Sequence, residues 1–157
     1  VYATVSFSIT TPDDREGKRT EPGASYVSDR LAAMQELRAA GICSGVLLMP
    51  ILPFIGDKPE NITRMVEMSR AHNASFIMPG FSLTLRGRQM AYYFKKLDRF
   101  YPGITQKYRK LFNGNYRCPP PNADELYETF FELVNKYEIP TKLPAFHKPQ
   151  EEQLALF

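Results

Sequence analysis

The stretch Gly45-Val46-Leu47-Leu48-Met49 carries no polar side chain at any position. A strand turns alternate side chains to opposite faces, so such a run suits a strand covered on both faces, as in a parallel sheet. Pro50 and Pro53 end it. Two further segments fit the same frame. Within residues 4–10, Val5, Phe7 and Ile9 point one way while Ser6, Ser8 and Thr10 point the other. Ser75-Phe76-Ile77-Met78 reads as a third strand, closed by Pro79-Gly80.

Helical patterns separate these strands. Ser25 or Ser28 is placed to cap a helix running to about Ala40, with Leu31, Met34 and Leu37 on its buried stripe. Gly41 follows as a left-handed cap. Asp57 and Glu60 form a capping-box-like start for a helix whose stripe is Ile62, Met65, Val66 and Ser69. After the third strand a helix is expected from near Gly87 to Phe100, then a short one over Gln106–Phe112. Asn122 or Asp124 caps a last amphipathic helix carrying Leu126, Phe130, Leu133, Val134 and Tyr137. Pro12 to Ala24, Asn113 to Asn122 and the tail from Pro140 read as loop. The order is α/β: three parallel strands alternating with helices, joined by right-handed crossovers, plus C-terminal helices. Residues 1–100 hold the strand–helix units and residues 101–157 form a C-terminal helical extension.

A chain of 157 residues with 43% apolar content can bury a core of its own. Its net charge of +3 is too small to imply nucleic acid by itself. No apolar run reaches the roughly 20 residues of a membrane helix, and no signal peptide is read at the start. Cys43 and Cys118 stand far apart in sequence and form no ligand pair, which points to free thiols and a cytoplasmic setting. Val1 opens the chain without an initiator Met, and a strand is under way by Thr4. The expectation is a C-terminal piece of something longer, whose sheet continues in a missing N-terminal half. An exposed edge at the first strand then predicts self-association.

Ligands of parallel α/β sheets bind at the carboxyl ends of strands. Here those ends are Ser8–Thr11, Met49–Pro53 and Met78–Phe81. The hydroxyls of Ser6, Ser8 and Thr10 suit a ribose or carboxylate, or else satisfy one another. Arg30 lies near a helix start, where the dipole favours anions. Either it has a carboxylate partner, Glu21 or a ligand, or it is a solvated surface residue. Asp13 and Asp14 read as a charged loop more readily than as an acid/base pair. His72 and His147 have no second metal ligand at useful spacing.

From Arg86 to Arg117 nine basic residues, Arg86, Arg88, Lys95, Lys96, Arg99, Lys107, Arg109, Lys110 and Arg117, stand against one acid, Asp98. Tyr92, Tyr93, Tyr101, Tyr108 and Tyr116 are interleaved with them. Phosphate contacts plus base stacking use this mixture, with Arg86, Arg88, Lys95, Lys96 and Arg99 as the candidate nucleic-acid contacts. A basic outer face over an aromatic core face, routine for amphipathic helices, is the simpler account of it.

The string Val5-Ser6-Phe7-Ser8-Ile9-Thr10-Thr11, then Glu21-Pro22, Arg30-Leu31-Ala32-Ala33 and Ala40-Gly41-Ile42, resembles the radical S-adenosylmethionine enzymes. The branch it is most similar to is that of spore photoproduct lyase-like, or DNA-repair-photolyase-like, proteins. Met49-Pro50-Ile51-Leu52-Pro53 with Asp57 resembles the next strand of that branch, and Gly80–Arg86 the one after. The resemblance implies the C-terminal half of a partial TIM-type (β/α)6 barrel, containing its last three strands. It implies S-adenosylmethionine and a [4Fe–4S] cluster as cofactors of the parent enzyme. The family's Cys-x-x-x-Cys-x-x-Cys loop is not in this sequence, so the chain alone is expected to retain neither cofactor and to be inactive. Carried over by position, Ser8 and Thr10 face the ribose or methionine part of the cofactor. Glu21 and Arg30 shape that pocket, and Met49 with Pro50 borders the adenine.

Overall fold

Three parallel strands lie side by side in the order of the chain. The computed structural model describes residues 3–145, so His147 lies outside the described residues. Strand β1 is Thr4–Ile9, β2 is Cys43–Leu48 and β3 is Ile77–Pro79. Thr4 pairs with Cys43 and Ile9 with Leu48, while Val46 pairs with Ile77 and Leu48 with Pro79. Helices α1 (Asp14–Thr20) and α2 (Val27–Ala39) connect β1 to β2, and α3 (Pro59–Ala71) connects β2 to β3. Then follow β4 (Leu83–Thr84), α4 (Arg88–Phe100), α5 (Ile104–Phe112), β5 (Arg117–Cys118) and α6 (Ala123–Lys136).

The helices of the main sheet share one side of it. Ile9, Val46, Leu48 and Ile77 point from the strands into a core completed by Val27, Leu31 and Met34 of α2. Ile62, Met65 and Val66 of α3 and Leu126, Phe130 and Val134 of α6 fill the rest. Ser44 also points this way, its hydroxyl donating to the Met34 carbonyl at 3.1 Å. Alternation therefore sends Ser6, Ser8, Cys43, Leu47, Met49 and Met78 to the opposite face, where they are exposed or half-buried. On that face the Phe76 ring lies across Gly45, so close that a Cβ there would sit 2.5 Å from the Phe76 carbonyl oxygen.

A second apolar cluster joins α4, α5 and the β4–β5 pair. Leu83 and Cys118, Phe94 and Leu97, and Tyr108 and Phe112 bury together with Leu52. β4 and β5 are antiparallel, Leu83 opposite Cys118. Gly87 and Gly103, at φ 47° and 85°, turn the chain into α4 and α5, backbone settings that favour glycine. Gly41 ends α2 at φ 79°, in the left-handed region its sequence position predicts.

Several local expectations are corrected. The polar stretch after Pro12 contains α1, because the Asp13 carboxylate accepts from the Glu16 N–H at 2.9 Å and caps a helix with no apolar stripe. Neither Ser25 nor Ser28 caps α2; Tyr26 holds that position without a side-chain bond. Ser28 instead gives its N–H and hydroxyl to Asp14, at 3.0 and 2.6 Å. Asp57 does not cap α3, which starts with Pro59 at its first turn after Lys58. The Asp57 carbonyl accepts from the Asn122 amide at 3.2 Å, fastening the start of α6 to the loop before α3. The segment read as loop after Asn113 contains β5, and the Pro140 carbonyl accepts from Ile77 N–H at 2.9 Å along the outer edge of β3.

Candidate functional site

The carboxyl end of β1 gathers four of the residues singled out by sequence. The Arg30 guanidinium, from the first turn of α2, donates to the Ser8 carbonyl at 2.6 Å. Its other terminal nitrogen donates to the Glu21 carboxylate at 3.0 Å, with the two side chains 13% and 31% exposed. Arg30 thus has the carboxylate partner that its position asks for, and it is not a solvated surface residue. Glu21 reaches it because α1 ends at Thr20 and returns the chain toward β1. Arg30 Nε is buried without a hydrogen-bond partner. So is the Thr10 hydroxyl, on a residue only 3% exposed. An unpaired buried hydroxyl costs on the order of 1–3 kcal/mol, so a polar atom arriving beside it gains more than one arriving at a solvated Ser.

Ser6 and Ser8 are exposed on the open face of the sheet, in register with Gly45 and Leu47 of β2. At the ends of β2 and β3 that face leads into a cleft of about 510 Å³. Met49 and Pro50, joined by a cis peptide bond, form one wall with Gly80. A Cβ on Gly80 would meet the Met49 Cε at 2.9 Å and its Cβ at 3.0 Å, so glycine leaves room for the methionine. Phe81 and Tyr127 stack at 4.3 Å between centroids to make the back. Tyr116, Arg117, Ser82 and Thr84, from β4, β5 and their flanks, close the remaining side.

A second cleft of about 500 Å³ opens beside α1, lined by Thr11, Asp13, Arg15, Glu16, Asn61 and Tyr101 among others. There the Tyr101 hydroxyl donates to the Glu16 carboxylate. Burial first, then that bond, pushes the Tyr101 phenol well above its usual range. Asp13 and Asp14 are both committed to helix starts, and the hydrogen bonds from Ser28 hold the Asp14 carboxyl below its ordinary range. This cleft was not legible beforehand because α1 itself was not.

The basic candidates lie elsewhere. Arg88, Tyr92, Lys95 and Arg99 fall at i, i+4, i+7 and i+11 of α4 and are all exposed. Lys96 sits 5.3 Å from the Tyr92 ring, and Arg86 is 4.5 Å from the Tyr116 ring. The opposite side of α4 buries Phe94 and Leu97, so the helix does combine an aromatic core face with a basic outer one.

Cys43 begins β2, while Cys118 is buried in β5, where loss of solvent pushes its thiol up to about 11. Among the described residues no three His, Cys, Asp or Glu side chains converge as metal ligands. An iron–sulfur cluster, which needs several converging thiolates, does not fit the residues described. No helix among them is long and apolar enough to cross a membrane.

Over 149 residues, 95% of its length, the chain is 28% identical to uncharacterized proteins of Mycobacterium bovis and of two strains of Mycobacterium tuberculosis. It spans 42% of the length of these relatives. No family model matches the chain, and no solved structure does.

Proposed function

We propose that this chain is part of a radical S-adenosylmethionine enzyme, providing the last three strands of a six-stranded partial TIM-type barrel. The open face of the sheet is then the inner wall of the barrel, completed by an N-terminal half of the same protein. The observation that carries this reading is the carboxyl end of β1. The Thr10 hydroxyl is buried and unpaired there, beside an Arg30–Glu21 pair anchored on the Ser8 carbonyl. Ser8 and Thr10 offer hydroxyls to the ribose or methionine portion of S-adenosylmethionine. Glu21 suits the cationic end of the methionine portion, Arg30 its carboxylate, and Met49 with Pro50 an adenine edge.

S-adenosylmethionine held by these residues would supply hydrogen-abstracting radical chemistry. The [4Fe–4S] cluster would be held by a cysteine loop that is not in this sequence, and without it this chain would be inactive. This reading places the protein in a reducing cytoplasmic setting. It also makes β1, deprived of its neighbour, a seam for self-association when the chain is studied alone.

The test uses the full-length protein with its cluster assembled. Arg30→Ala will weaken S-adenosylmethionine binding about tenfold by calorimetry, the loss of one charge-assisted hydrogen bond. Unchanged affinity removes Arg30 from the pocket, and a coding sequence without a three-cysteine loop removes the whole reading.

One observation favours a nucleic-acid surface as a second reading: the exposed stripe on α4. Tyr92 is 60% exposed among cations, as a base-stacking side chain has to be. Arg86 and Arg88 extend the stripe at its N-terminal end. With single-stranded oligonucleotides, affinity will fall steeply with salt, and a Lys95→Ala, Lys96→Ala, Arg99→Ala variant will flatten that dependence by about two to three counterions. An identical salt slope in the variant shows that the stripe is only a solvated face.

A further inference from the structure

Among the described residues, one charged side chain lines the cleft at the ends of β2 and β3. Its walls are Met49, Pro50, Phe81, Leu83, Tyr116 and Tyr127, its small polar groups are Ser82 and Thr84, and its charged residue is Arg117. Among the described residues no carboxylate lines it. The ring content is high for so small a space: Phe81 and Tyr127 stack nearly parallel, at 21° between planes. Tyr116, 53% exposed, stands on the other side with the Arg86 guanidinium 4.5 Å from its ring.

Arg117 is oriented by the fold. Its Nε donates to the Ser82 hydroxyl at 3.0 Å, across the β4–β5 pair in which Thr84 is opposite Arg117. With Nε held, the two terminal nitrogens keep the planar fork that recognises a carboxylate or phosphate. Among the described residues no acidic side chain lies within ion-pair distance of it, whereas Arg30 has the Glu21 carboxylate at 3.0 Å. The cleft volume of about 510 Å³ falls within the range of small-molecule sites. Its position at the carboxyl ends of parallel strands is where such sites form.

We infer that this cleft binds a small anionic compound with a flat ring, the ring against Met49, Phe81 and Tyr127 and the acid group on Arg117. The inference names a ligand class for a cleft that shares Met49 and Pro50 with the proposed adenine edge, and it does not require the cofactor. Carboxylate and phosphate share the recognition chemistry, and probes of both kinds separate them. A neutral molecule of the same shape lacks the group that Arg117 is held to meet. A bare anion lacks the ring that the aromatic walls are shaped for.

The experiment measures binding of 1-naphthyl phosphate, 1-naphthoate, 1-naphthol and inorganic phosphate to the full-length protein, without S-adenosylmethionine, by calorimetry and naphthalene fluorescence. At least one naphthyl anion will bind at least tenfold more tightly than 1-naphthol, and inorganic phosphate more weakly still. Arg117→Gln will weaken the bound anion about tenfold and leave 1-naphthol unchanged, while Arg117→Lys will retain part of the affinity. Circular dichroism of the variants, in which only an exposed side chain changes, checks that they fold. Equal affinity for anion and naphthol, or an Arg117→Gln variant that binds like the parent, overturns the inference. So does full displacement of the naphthyl anion by S-adenosylmethionine, which would assign the cleft to the cofactor. Failure of S-adenosylmethionine to bind anywhere leaves this result standing and counts only against the cofactor reading.

Discussion

Phe130→Ala will lower the unfolding free energy by about 3–5 kcal/mol, the range for removing a buried ring. Phe130 is fully buried where α6 meets α3 and the sheet, and its ring meets Phe81 edge-on at 6.0 Å between centroids. Its neighbour Phe131 is 43% exposed, although it is identical in type and one residue away. Phe131→Ala will therefore cost clearly less, about 1 kcal/mol, since its ring is partly solvated and keeps only its contacts with Tyr127 and Phe130. Urea unfolding of both variants reads the difference directly. Comparable losses would mean that α6 does not present the face described here.

The second large effect concerns a residue with no side chain. Gly45→Ala places a Cβ 2.5 Å from the Phe76 carbonyl oxygen and 2.7 and 2.8 Å from two atoms of its ring. The ring can shift; the carbonyl cannot, because it accepts the Val46 N–H at 2.9 Å as part of the β2–β3 ladder. The variant will lose about 3 kcal/mol, at the upper end of what overpacking costs. Adding Phe76→Leu will recover only the share due to the ring. Full recovery in the double variant would show that the backbone contact carries none of the strain.

The difference between what could be read in advance and what could not follows from how each element is held. β1, α3 and α6 have apolar residues at their own period, and burial in the main core follows that period, while β2 is marked by its unbroken apolar run. α1, with sequence Asp-Arg-Glu-Gly-Lys-Arg-Thr, buries only Gly17. It is secured by the Asp13 cap and by the Asp14–Ser28 contact, and neither leaves a periodic trace. β5 is two residues long and exists because β4 lies opposite it. Such a pair is decided by the tertiary fold and not by local preference.

The same division holds for the sites. Arg30 and Glu21 are nine residues apart, and an arginine in an anion-favouring turn invites a search for a nearby acid. The Arg117 cleft draws its walls from segments around residues 49, 81, 84, 116 and 127. No spacing rule connects those positions, since only the packing of the second apolar cluster against the sheet brings them together. The open face of the sheet is intermediate. The hydroxyls of β1 were visible as an alternation, but which side the helices would take was not.

The two margins of the sheet are unlike in their capacity to accept further backbone. At β3 the outward N–H of Ile77 is spent on Pro140, and Pro79 has none to give. A ribbon arriving there would find carbonyls but no donors, which defeats ladder formation. At the β1 margin the Arg30 guanidinium takes the Ser8 carbonyl, but no proline removes a donor from Thr4–Ile9. Extension of this sheet is thus directional: any added strand, from the same polypeptide or from another copy, has a single side on which to dock.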